Sequence, residues 1–66
     1  MENLYTFKSY DSNSNLLSTA GFPSKHYANE YITRLQDTQL FQKIASYFII
    51  DNSTDTIILE KHRGNL

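Results

Sequence analysis

Cysteine and tryptophan are absent from this chain of 66 residues, proline occurs once and glycine twice. Without cysteine there is neither a disulfide framework nor a zinc ribbon, and unstapled domains of this length often gain their stability by oligomerising. With Gly21 and Gly64 as the glycines, no Gly-rich loop can cradle a phosphate. No apolar run approaches the roughly 18 residues that cross a bilayer. Residues 1–10 hold no hydrophobic stretch behind a basic start, so the cytoplasm is the expected compartment and a membrane is not an expected partner. Charge of one sign is lacking too. Six Lys plus Arg stand against seven Asp plus Glu, short of the basic excess that neutralising phosphates demands. A chain this short buries only about 60% of its unfolded surface, which leaves room for one two-layer core and none for an elaborate active-site cavity. No Pro-rich, Gly/Ser-rich or charged linker divides residues 1–66, so one small domain is expected.

What is present reads as four strands and a helix. Residues 4–10 alternate with period two, Tyr5 and Phe7 on one face and Leu4, Thr6, Lys8 and Tyr10 on the other. The run Asp11-Ser12-Asn13-Ser14-Asn15 consists of side chains that hydrogen-bond nearby backbone, hence a hairpin loop. Residues 16–22 form a second strand with Leu16, Ala20 and Phe22 on one face, broken by Ser18, and a bulge or exit bend is expected near Gly21. Pro23-Ser24 then signals a helix start, serine supplying the cap. From Ala28, a count of about 100° per residue gathers Tyr27, Tyr31, Ile32 and Leu35 on one side, while Leu40, Phe41 and Ile44 fall opposite, so the helix stops near Asp37. Residues 38–43 become a turn or single helical turn that tucks Leu40 and Phe41 under the domain edge. Residues 45–51 and 56–62 complete a second hairpin around Asn52-Ser53-Thr54-Asp55. The expected class is α+β, ordered ββαββ, a four-stranded and mainly antiparallel sheet with one helix packed on one face.

Sharper chemical readings fail on spacing. Asp11, Asn13 and Asn15 match the opening of a calcium loop, and Asp51, Ser53 and Asp55 repeat it, but the required Gly at position six and Glu at position twelve are Leu16 and Phe22 in the first loop, Thr56 and His62 in the second. His26 and Glu30 lie four residues apart, two ligands where a metal needs more. Serines are plentiful, yet none lies in a Gly-x-Ser-x-Gly elbow. The sequon Asn52-Ser53-Thr54 reads as a turn. No catalytic group, metal or cofactor is therefore expected.

The second hairpin does stand out. Tyr47, Phe48, Ile49 and Ile50 are consecutive, as are Ile57, Ile58 and Leu59, which places large apolar side chains on both faces of both strands, whereas one helix covers one face. Either Leu40 and Phe41, or a tail ending in Leu66, folds over the second face, or a partner does. The short connections favour a partner. Because a tyrosine hydroxyl suits a wet contact, Tyr47 and Ile49 are expected outward with Ile57 and Leu59 beside them, and Phe48 and Ile50 toward the helix. The function expected is a non-enzymatic interaction module, a homodimer that regulates or inhibits an unidentified protein; size and composition are compatible with a phage-type inhibitor of a host enzyme. The alternative is binding of a nucleic acid or nucleotide-like ligand on Tyr5, Phe7, Lys8 and Tyr10, with Lys61, His62 and Arg63 as a basic edge.

Overall fold

The computed structural model describes residues 3–64. Its elements follow the expected order: β1 (Tyr5–Tyr10), β2 (Leu16–Phe22), α1 (Lys25–Leu35), the single turn α2 (Leu40–Lys43), β3 (Ser46–Asp51) and β4 (Thr56–His62). The four strands make one sheet in the order β2-β1-β3-β4, every neighbouring pair antiparallel. Each hairpin thus contributes one inner and one edge strand, and the helical connection returns the chain to lie against β1.

Local chemistry accounts for the boundaries. Ser24, in extended backbone, caps α1 by accepting the Tyr27 amide at 3.5 Å, a long and weak bond. At the other end the helix stops at Leu35, its last buried apolar residue, and Thr38, three residues on, donates its hydroxyl to the Leu35 carbonyl at 2.7 Å. Both hairpin loops turn without glycine: Ser14 and Asp55 take positive φ of 66° and 54°, the left-handed region that short polar side chains tolerate better than most.

The core lies between the sheet and α1. Ala28, Ile32 and Leu35 come from the helix, Phe7, Tyr47 and Ile49 from the inner strands, and Ile44 from the segment before β3. Phe7 is the hub, fully buried, its ring 5.1 Å from that of Tyr31 and 5.6 Å from that of Tyr47. Leu40 and Phe41 pack against this same cluster, closing the helix side as expected, so they do not cover the other face. Leu66, the other expected cover, lies outside the described residues. Tyr27 departs from its expected place on the apolar arc: it stands 54% exposed on the helix flank.

The expected facing of β3 is reversed. Tyr47 and Ile49 are 4% and 3% exposed and point to the helix, while Phe48 and Ile50 point away. The reason is register. Residues opposite one another in an antiparallel pair share a face, and β1 sets Phe7 opposite Ile49 and Ser9 opposite Tyr47. Once Phe7 faces the helix, Ile49 and Tyr47 must follow, and the small Ser9 leaves room for the Tyr47 ring.

Two bulges, neither at Gly21, correct the edge strands. The β1–β2 register shifts at Leu17, so Leu16 pairs with Tyr10 on the open face while Leu17 packs on the core. The β3–β4 register shifts at Ile58, which sends Ile57 opposite Ile50 and Leu59 opposite Ile49. Ser18, which interrupts the apolar pattern of β2, has a partner in fully buried Ser9; the two hydroxyls lie 2.6 Å apart.

The facing makes a direct prediction. An unpaired charge in the core costs several kcal/mol, against a total stability on the order of 5 kcal/mol for a chain this size. Ile49→Asp is expected to unfold the protein and Ile50→Asp to leave its circular dichroism spectrum native; the opposite pair of outcomes would mean that the sheet is inverted.

Candidate functional site

The open face is read row by row from the strand registers. The central row runs Thr19, Lys8, Phe48, Glu60 across β2, β1, β3 and β4. Toward the loop carrying Asp11 the next row is Leu16, Tyr10, Ser46, His62, and on the other side it is Gly21, Thr6, Ile50, Ile57. Phe48 stands in the middle, its ring 5.7 Å from that of Tyr10 and 6.0 Å from that of His62, both edge-on. Such offset aromatic pairs are favourable beyond their burial. Ile57 and Leu16, 49% and 53% exposed, extend the apolar surface to either edge. One corner is covered by the chain itself, where the Asn3 side chain lies over Gly21 and Asn52 bonds the Thr6 hydroxyl; Phe48 and Ile50 are half-buried beside it.

Charge on the face is sparse and ordered. Glu60 Oε2 lies 2.6 Å from His62 Nε2, and the other carboxylate oxygen of Glu60 has no hydrogen-bond partner among the described residues. Lys8 takes part in no ion pair among the described residues. The one other contact of this type, His26 to Glu30 at 3.3 Å, is on the exposed side of α1, and no cluster of three or more His, Cys, Asp or Glu side chains able to hold a metal occurs among the described residues.

The residues expected to form sites are distributed over three surfaces. Of the four interface candidates Tyr47 and Ile49 are in the core, Leu59 packs on it, and Ile57 alone is on the open face. The aromatic platform divides likewise: Phe7 is buried and Tyr5 packs on the core, leaving Lys8 and Tyr10 on the open face with His62. Lys61 pairs with Tyr47 on the helix side. Arg63 is a clamp and not a free basic edge, since its guanidinium donates to the carbonyls of Gln42, at 3.0 Å, and of Ile44, tying the end of α2 to the end of β4. Phe48, Ile50, Glu60 and Leu16 were missed as surface residues; the period-two phase of Phe7, carried across β3 by register, is the signal that locates the first three.

The loops bordering the face are built by aspartates. Asp11 Oδ1 accepts the amides of Asn13 and Asn15 at 2.8 and 2.9 Å. Asp51 Oδ1 accepts the Ser53 hydroxyl at 2.6 Å and its amide at 2.9 Å. These are the oxygens a calcium loop would direct inward, spent here on the turn itself. The Asn15 amide, with smaller help from Asn13, holds the Asp11 carboxyl below its ordinary pKa; the Ser53 hydroxyl, then its amide, does the same to Asp51. In the sequon, Asn52 donates to the Asn3 carbonyl at 3.0 Å and to the Thr6 hydroxyl at 2.8 Å, so its side chain fastens the second loop to the start of β1.

Compared with family models, curated proteins and solved structures, the chain matches none.

The loops predict an acid response. A carboxyl depressed on folding contributes stability above its unfolded pKa, about 3.9 for Asp, and loses it as pH falls through the lower folded value. The Asp11→Asn/Asp51→Asn variant is therefore expected to be less stable near neutrality and to lose less on acidification below about pH 4. Urea midpoints along a pH series test this; acid limbs of equal steepness in the two proteins would exclude a contribution from these loops.

Proposed function

We propose that the chain is a non-enzymatic interaction module that self-associates through the open face of its sheet and, in that form, regulates or inhibits a protein partner. The observation that carries this reading is the aromatic and aliphatic centre of the face turned away from α1, half-buried Phe48 and Ile50 with Tyr10 and exposed Ile57 around them.

A sheet associates either by its edges or by its faces. Here both edges bulge, at Leu17 in β2 and Ile58 in β4, and a bulge twists an edge strand away from added pairing. The faces differ as well. One is filled by α1, and the other bears apolar side chains where a sheet meeting water carries mostly polar ones. Association by the open face removes that surface from water, the non-directional gain of about 25 cal/mol per Å² of apolar area. Four strands about 4.8 Å apart and six residues at about 3.4 Å make a footprint of roughly 20 by 20 Å. That is modest against the ~800 Å² per partner of stable complexes, which points to micromolar or weaker self-association. A nucleic-acid reading keeps Lys8, Tyr10 and His62 of its seven residues on one surface.

Sedimentation equilibrium from about 10 μM to 1 mM, spanning weak affinities, is expected to show a monomer–dimer equilibrium. Phe48→Asp should remain folded and become monomeric across that range. A wild-type protein that stays monomeric throughout would overturn the proposal, and a salt-sensitive anisotropy change with labelled single-stranded DNA would put the nucleic-acid reading in its place.

A further inference from the structure

The central row of the open face is antisymmetric in charge. Lys8 and Glu60 flank Phe48 directly, one strand to either side, so each lies about 4.8 Å from the midline of β3. Resting on the reading of this face as a self-association surface, we infer that two copies stack these faces about a two-fold axis parallel to β3 and passing over Phe48, which sets Lys8 of each copy against Glu60 of the other.

The occupant is a second copy because the face complements itself. An isologous contact puts the same patch on both sides, so residue i meets j while j meets i. Rotation about an axis along β3 exchanges the positions of β1 and β4. Lys8 then meets the second copy's Glu60, Tyr10 meets its His62 and Thr6 its Ile57, while Phe48 and Ile50 meet themselves on the axis. The Glu60 oxygen not held by His62 is the one available to the incoming ammonium. The angle of about 30° between aligned sheets is compatible with this arrangement.

The other two-fold placements are worse. An axis in the interface running across the strands along the central row would superpose Lys8 on Lys8 and Glu60 on Glu60, and like charges facing one another cost several kcal/mol. An axis midway between β1 and β3 covers all four strands but sets Glu60 against Thr19 and Leu16 against His62, burying a carboxylate without a cation and an apolar side chain on a polar one.

Exchanging charges tests the register apart from the association. Lys8→Glu and Glu60→Lys each convert both cross-copy pairs of a homodimer to like charges, whereas an equimolar mixture of the two variants restores opposite charges at both pairs. Each variant alone is expected to raise the dimer Kd about tenfold or more at low ionic strength, and the mixture to return within a few-fold of wild type. Circular dichroism of each variant checks that it is folded, and the Lys8→Glu/Glu60→Lys double variant, self-complementary again, serves if one of the singles is not. Variants that dimerise like the wild type, or that weaken without recovering on mixing, would overturn the axis over Phe48 while leaving self-association standing. A monomeric wild-type protein would remove both.

Discussion

The antiparallel pairing of β1 with β3, with Phe7 set opposite Ile49, is the constraint on which the rest of the molecule depends. These are the two inner strands, and their register decides which side chains share a face all the way across the sheet. Phe7 under Ala28 and Ile32 draws Ile49 and Tyr47 into the core; through β3 the same phase reaches Leu59, and through β1 it reaches Ala20 and Phe22. Slipping that register by one residue would turn every side chain of β3 over. The helix therefore covers the face that carries Phe7, and Phe48 and Ile50 remain on the other by geometric necessity.

The edges adjust to that choice. A bulge in each edge strand lets consecutive apolar residues serve different ends: Leu17 and Leu59 reach the core while Leu16 and Ile57 stay on the open face. Polar side chains then fasten the periphery. Asp11 and Asp51 close their own loops, Asn52 ties the second loop to the first strand, and Arg63 ties the last strand to α2. A domain with no disulfide and a small core gains its boundary order from such short-range bonds, each worth on the order of 1 kcal/mol net.

One face of the sheet is thus consumed by folding and the other is left with chemistry of its own: an aromatic centre, aliphatic flanks, one cation and one carboxylate on opposite sides of the midline. Hydroxyls and short polar side chains fill the intervening positions, Thr6, Thr19 and Ser46 among them. It is on this mixture of apolar centre and interspersed polar side chains that the proposed self-association rests.

The sequence by itself determined the elements and their class. Period-two alternation, the Asp/Asn/Ser loops, the Ser24 cap and the phase break after Leu35 are local signals, and each is answered by a strand, a turn or a helix end where they predict one. Leu40 and Phe41 tucking under the edge was legible for the same reason. What only the tertiary structure decided is which face of each strand is inside, and with it the candidate site. An unbroken apolar run such as Tyr47-Phe48-Ile49-Ile50 satisfies either facing, and the preference of a tyrosine hydroxyl for water is worth less than keeping Tyr47 and Ile49 in phase with Phe7. Strand order and the bulges at Leu17 and Ile58 are likewise properties of pairs, settled when β3 docks on β1, because a single strand carries no record of the neighbour it will meet.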